Sequence, residues 1–229
     1  MNFLMRKFLS VRLGLYVGYL LLLYGAIVGT EPQAFPLIIL SNYLWPFATI
    51  VFSVIIFKLP VDVKKLSIGL TLAFLGVFLE LGGSHLLEIP TPPLYCTILA
   101  IVAALVWGLY SSVNRAIGER SGGVQSLAIL MGIAAVIMLL IGRLRAEPMN
   151  IALVPKPIFI LYCIMPFLGN LCWDIGTRKG NLVILGFVAD LTPWISLVTA
   201  AVFLGSPLHP SLFIAAFCIL LGAWICRTM

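Results

Sequence analysis

Few side chains in this sequence could take part in chemistry, and their placement narrows what that chemistry is. The only histidines, His85 and His209, fall in breaks between apolar runs. Cys96, Cys163, Cys172, Cys218 and Cys226 are scattered, with no C-x-x-C pair and no histidine at ligand spacing. They read as small hydrophobes, not as disulfides or metal ligands. Lys58 and Lys156 stand at the ends of runs, so no lysine is placed for a mid-membrane Schiff base. The expectation is a protein that is not an enzyme, with no metal and no cofactor. What remains is polar and aromatic residues embedded in apolar sequence, which suits non-covalent recognition of a small molecule. Asp190 is the sharpest of these, since a carboxylate inside a membrane span costs roughly 3 kcal/mol unless it meets water or is neutralised. It could couple a proton, face a substrate ammonium, or bond the backbone that Pro193 frees. Trp45, Trp107, Tyr110, Trp173 and Trp194 could stack on a planar substrate or hold a cation. Asn42, Asn114 and Asn170 could bond a substrate carboxylate or another helix, with function favoured for Asn42. Asp174 is spaced to pair with Arg178 one helical turn on, and Glu80 stands near a run end, within reach of the interface.

The elements that position these residues follow from composition. Of 229 residues, 62% are hydrophobic and 10% charged, where a soluble domain has roughly 45–50% and about 25%. That excludes a soluble enzyme, a secreted disulfide scaffold and a disordered tail. Apolar runs at about 13–30, 36–57, 66–83, 94–114, 124–142, 157–175, 182–204 and 211–226 are each close to the length of about 20 residues that crosses a bilayer. The expected fold is an all-α membrane protein, a polytopic bundle of eight transmembrane helices. The first run is too long for a signal-peptide core and no small-residue cleavage site follows it, so it counts as a retained span. Trp45-Pro46 and Pro193 lie mid-span and are expected to kink their helices toward a central cavity. Small-residue patterns such as Gly14-x-x-x-Gly18 read as packing faces.

The net charge of +6 resides in the breaks between runs and forms no basic face on a soluble domain, so nucleic acid is not an expected partner. Alternate breaks face alternate sides of the membrane. One side collects Arg6, Lys7, Arg12, Lys58, Lys64, Lys65, Arg115, Arg120, Arg178, Lys179 and Arg227, the other only Arg143, Arg145 and Lys156. Excess positive charge marks the cytoplasmic side, which puts both termini in the cytoplasm.

The chain also carries an internal echo. Pro46 and Pro60 are each displaced by 147 positions from Pro193 and Pro207, and Gly76 answers Gly222 one residue out of step. By the charge tally the second and seventh spans run in opposite directions, the pattern of the inverted repeats found in secondary transporters. Spans one to three then pair with spans six to eight, leaving four and five unmatched. A symmetric parent would have ten spans, so the expectation is an incomplete 5+5 inverted repeat. Residues 1–12 form the N-terminus, 13–90 a first repeat of three helices and 91–229 a second repeat of five.

Asn42-Tyr43-Leu44-Trp45-Pro46, Leu81-Gly82-Gly83, Trp107-Gly108-Leu109-Tyr110, Cys172-Trp173-Asp174-Ile175-Gly176 with Gly180-Asn181, and Leu191-Thr192-Pro193 with Ser196 together resemble the drug/metabolite transporter superfamily of EamA-domain type. The Asn42–Pro46 run is most similar to the bacterial aromatic amino-acid exporter branch, whose fourth helix carries N-Y-L-W-P. The resemblance runs from about Leu13 onward, over helices three to ten of a ten-helix family. It implies two inverted five-helix halves around a substrate cavity and export of amino acids or related metabolites. By motif, Trp45 and Trp107 fall on cavity-lining positions, with Tyr43, Tyr110 and Trp173 nearby; an aromatic is expected where Asp190 stands. The expected function is a secondary, alternating-access carrier in the bacterial inner membrane that exports amino acids, aromatic ones among them, or related small metabolites. The alternative is a truncated, non-transporting membrane fragment or interaction protein. The expected partners are a small-molecule substrate and the lipid bilayer; no motif supports a homodimer.

Overall fold

A computed structural model describes residues 3–58, 60, 62–86, 91–117, 123–146, 155–179, 189, 192, 195, 198, 199, 202 and 210–227. Every described element is helical: α1 Phe3–Val28, a 3-10 turn Pro32–Ala34, α2 Phe35–Asn42, α3 Trp45–Phe57, α4 Val63–Leu86, α5 Leu94–Ile117, α6 Gly123–Leu144, α7 Lys156–Lys179 and α8 Pro210–Arg227. Five stretches are long and apolar enough to cross a membrane, namely Ser10–Val28, Leu37–Phe57, Leu94–Ile117, Ser126–Leu144 and Lys156–Lys179. Helices close every backbone hydrogen bond within the segment, which is what the hydrocarbon core demands. Each expected span except the seventh coincides with a described helix. The seventh, at about 182–204, lies mostly outside the described residues, and with it Asp190, Pro193 and Trp194; the side chain of Glu80 lies outside them too.

The span over Leu37–Phe57 is interrupted in the turn that precedes Pro46. The chain leaves helix after Asn42, turns through Tyr43 and Leu44, and restarts at Trp45 with Pro46 in the first turn of α3. There the missing N–H is one that the helix start would not have used. The Tyr43 N–H bonds the carbonyls of Ile39 and Leu40 at 3.1 and 2.9 Å, and Ala48 N–H opens the new ladder on Leu44 O at 3.1 Å. Trp45 is thereby set at an interruption of the span.

At the far end of α3, Lys58 adopts a left-handed conformation (φ 50°). Asp62 Oδ1 then accepts from the Lys64 N–H at 3.0 Å, a carboxylate at the start of α4 that satisfies an orphan donor.

Packing centres on α5, which touches α1, α2, α3 and α7. Its buried face is small or polar: Ala100, Ala103, Ala104, Gly108, Ser111, Ser112 and Asn114. A Cβ on Gly108 would stand 2.7 Å from the backbone carbon of Ala48 and from Thr49 N, so this glycine is where α3 lies directly on α5. Ser53 and Ser112 hydroxyls meet there at 3.1 Å. α4 packs most extensively on α8, and a Cβ on Gly76 would come within 2.7 Å of Ala215 O. Close backbone approach through small residues is the usual way helices associate in a bilayer. Gly14 and Gly18 do not serve this purpose among the described residues: a Cβ on either would meet nothing within 4 Å.

Candidate substrate cavity

Two helices each contribute a stripe with the same spacing. On α1 it is Tyr16, Tyr19, Leu20 and Leu23; on α7 it is Pro166, Gly169, Asn170 and Trp173. Positions i, i+3, i+4 and i+7 share one helix face, so each helix turns one face to a common chamber. Trp107 of α5 and Trp45, at the interruption before α3, complete the wall with Cys172, Ala189 and Thr192. The open cavity has a volume of about 640 Å³, within the roughly 300–1,000 Å³ of sites for small organic ligands. No charged side chain lines it among the described residues.

The wall is aromatic on two sides. Trp107 lies 4.6 Å from the Tyr19 ring, 5.2 Å from Tyr110 and 6.1 Å from Tyr16, centroid to centroid. Trp45 and Trp173, also in the wall, meet edge to face at 4.9 Å and 87°, the arrangement that ring quadrupoles favour. Two wall donors, on Trp173 and Asn170, are committed. Trp173 Nε1 donates to Ser111 Oγ at 3.2 Å, and Ser111 Oγ donates to Trp107 O at 2.9 Å, tying α7 to α5. Asn170 Nδ2 donates to Pro166 O, one turn back, at 2.9 Å.

Next to the chamber four helix ends converge on a buried ionic cluster. Arg12, one turn before Tyr16, is 1% exposed. It donates to Asp174 Oδ1 at 3.1 Å and to Ser126 Oγ at 3.0 Å. Arg178 donates to Asp174 Oδ2 through Nη2 and to Asp174 O through Nε at 3.2 Å. Asn114 Nδ2 donates to Asp174 Oδ1 at 2.8 Å and to Thr177 Oγ1 at 3.2 Å. One carboxylate thus answers two guanidiniums and an amide. Arg12 Nε and Asn114 Oδ1 are buried without partners.

Of the residues singled out in the sequence, Trp45, Trp107 and Trp173 line the chamber. Tyr110 sits one layer behind, 2% exposed, against Tyr16 and Trp107. Asn42 also stands behind the wall: its Nδ2 donates to the wall hydroxyl of Tyr19 at 3.4 Å while Oδ1 is buried and unpartnered. Tyr43 is not at the chamber; it packs in the core with Leu40, Leu44 and Phe47. Pro46 is buried in the first turn of α3. The i,i+4 pairing of Asp174 with Arg178 is present. Arg12 had counted only as a topology charge, because its partner lies 162 residues away. Tyr16, Tyr19 and Pro166 were also missed. The signal for them was available: polar and aromatic residues at i, i+3 and i+7 inside otherwise aliphatic spans.

Span-length helices around an aromatic chamber of metabolite size, uncharged among the described residues, fit a multi-pass membrane protein of the transporter class. Residues 94–228 match the EamA-like transporter family, and the chain belongs to that family. It is 28% identical over 192 residues to the aromatic amino acid exporter YddG of Salmonella typhimurium strain 14028s, an alignment covering 81% of this chain and 64% of that one. Against the aromatic amino acid exporter YddG of Escherichia coli K12 the identity is 29% over 193 residues, with the same coverage. The chain therefore spans less than two thirds of the length of these relatives. A solved crystal structure, 19% identical, superposes with a TM-score of 0.68 over 95% of this chain and 76% of its own, which establishes the fold.

Proposed function

We propose that this protein is a secondary carrier of the bacterial inner membrane that exports amino acids, aromatic ones among them, or related small metabolites from the cytoplasm by alternating access. The observation that carries this reading is the chamber walled by Trp45, Trp107, Trp173, Tyr16 and Tyr19. Flat apolar faces on two sides fit a planar side chain, and the named activity of both relatives agrees with that shape.

The ionic cluster supplies a gate for the reading. The apolar span of α1, from Ser10, and α6 begin near it and α5 and α7 end near it, so it closes one end of the chamber. That end carries Arg12, Arg115 and Arg178, which belong to the charge-rich set, and is therefore assigned to the cytoplasm. With the cluster closed the carrier is sealed toward the cytoplasm; loading substrate requires Asp174 to part from Arg12. The two inverted halves, with the second and seventh spans as counterparts, supply the second state by exchanging conformations.

Growth on an inhibitory aromatic amino-acid analogue tests the reading. Cells expressing the wild-type chain should tolerate more analogue and release it faster than cells with Trp45→Ala or empty vector. Equal tolerance and equal efflux in all three would favour a non-transporting membrane protein instead.

A further inference from the structure

The ionic cluster does more than seal the chamber. Resting on the carrier reading, we infer that Arg12 binds the carboxylate of the substrate and takes it in exchange for Asp174. The acid group of the ligand then opens the gate, and planar carboxylates are ligands with or without an amine.

The first support is position. Arg12 stands four residues before Tyr16 on α1, so it continues the stripe of Tyr16, Tyr19, Leu20 and Leu23 that faces the chamber. Four residues are about one turn, roughly 6 Å along the axis, which a long arginine side chain can span. The other two helices continue their chamber faces to the same place. Asp174 lies one turn beyond Asn170 on α7, and Asn114 two turns beyond Trp107 on α5. A single ring fills the step between guanidinium and chamber. Tyr110 packs on Tyr16 and Trp107 at 5.7 and 5.2 Å, centroid to centroid, and its hydroxyl adjoins the Arg12 guanidinium.

The second support is the unequal commitment of the charges. Two guanidiniums share one carboxylate, so among the described residues the cluster carries an uncompensated positive charge. Asp174 is secured without Arg12: Arg178 of its own helix donates to its carboxylate and to its carbonyl, and Asn114 donates to Oδ1 at 2.8 Å. Arg12 is held loosely by comparison. Its Nη2 shares Asp174 Oδ1 with Asn114, at 3.1 Å, its Nη1 donates to Ser126 Oγ, and its Nε is buried without a partner. Nε and Nη2 are the two parallel prongs of the guanidinium fork that fits a carboxylate, and Asp174 uses one of them. A ligand carboxylate, free to orient, fills both. It also supplies the negative charge that parting Arg12 from Asp174 would otherwise take away, a costly loss in a buried site. An ammonium at the same place would add to the positive excess.

Three ligands with one phenyl skeleton test this by calorimetric titration of the purified protein at neutral pH: phenylalanine, 3-phenylpropionate, which lacks the amine, and phenethylamine, which lacks the carboxylate. The wild type should bind both acids at least about tenfold more tightly than phenethylamine. Arg12→Met should bring the acids down to the level of phenethylamine, whose own affinity should not move; a merely structural Arg12 would weaken all three alike. Arg12→Lys keeps the charge without the fork and should weaken the acids alone, by about threefold or more. If Arg12→Met shows no cooperative thermal unfolding, the wild type and Arg12→Lys decide. Phenethylamine binding the wild type as tightly as phenylalanine, acids that keep their full affinity in either variant, or equal weakening of all three ligands would overturn the inference and leave the carrier reading standing. If none of the three binds the wild type, the aromatic carrier reading fails and this inference with it.

Discussion

Asp174 is shared between Arg12 and Arg178 at a depth where both guanidinium partners are 1–4% exposed, and that sharing makes it the most consequential single side chain described. Two guanidiniums on one carboxylate leave the cluster with a net positive charge, so removing the carboxylate strands two cations out of water. Breaking a buried ion pair from one side costs about 3–5 kcal/mol. Asp174→Ala should therefore lower the melting temperature of the purified protein sharply, read by thermal unfolding in detergent. Arg12→Met should cost less, because Asp174 keeps Arg178 and Asn114. A variant series in which Arg12→Met and Asp174→Ala melt alike would show that Asp174 has no special share. Half of this cluster was legible in the sequence, since Asp174 and Arg178 are one turn apart on one helix. The other half was hidden because Arg12 reaches Asp174 only once α1 and α7 are brought side by side, and no local pattern encodes that approach. The cavity tryptophans show the same division: Trp45, Trp107 and Trp173 stood out as mid-span aromatics, while Tyr43, equally aromatic and two positions from Trp45, packs in the core because two steps of near-helical backbone carry a side chain to the opposite face.

Helices in this bundle meet where side chains are missing, and at this scale glycines with the same residue type have opposite roles. Gly108 admits the backbone of α3 onto α5, with Ala48 and Thr49 filling the space that a Cβ would take. Gly14 has only open space beside it among the described residues, so there a methyl displaces nothing and removes backbone freedom from the unfolded chain. Gly108→Val should therefore destabilise by about 1–3 kcal/mol, the usual range for overpacking, and should move Trp107 out of place, so that binding weakens with stability. Gly14→Ala should be neutral or should stabilise by up to about 1 kcal/mol through helix propensity. Thermal unfolding of the two variants side by side checks both, and a destabilised Gly14→Ala would mean that something packs against that face. Spacing alone could not separate these cases. Gly14-x-x-x-Gly18 and Ala104-x-x-x-Gly108-x-x-x-Ser112 both have the pattern of a packing face, yet among the described residues the close approach occurs at Gly108. What decides it is the neighbour, α3, whose position follows from the interruption at Tyr43-Leu44.

For the whole molecule the question is which way the bundle stands in the membrane. The convergence of helix ends at the Arg12 cluster fixes relative direction: α1 and α6 leave from the end at which α5 and α7 arrive. Alternation along the chain then places Lys64, at the start of α4, on that same side and Lys156, at the start of α7, on the other. This much was readable from the order of apolar runs and charged breaks, because a span of fixed length can only alternate. The chamber was not, since it exists only where α1, α5 and α7 pack together. Which end faces the cytoplasm rests on the excess of lysine and arginine, a bias set during insertion. Both lysines are exposed, so single cysteines at Lys64 and Lys156, in a background with the native cysteines replaced, report the orientation directly. In intact cells a membrane-impermeant maleimide should label Lys156→Cys and spare Lys64→Cys, and lysis should expose Lys64→Cys as well. Labelling of Lys64→Cys with sparing of Lys156→Cys in intact cells would invert the protein. The cluster would then seal the outer end of the chamber, and the gate would have to open for release where it is now assigned to loading.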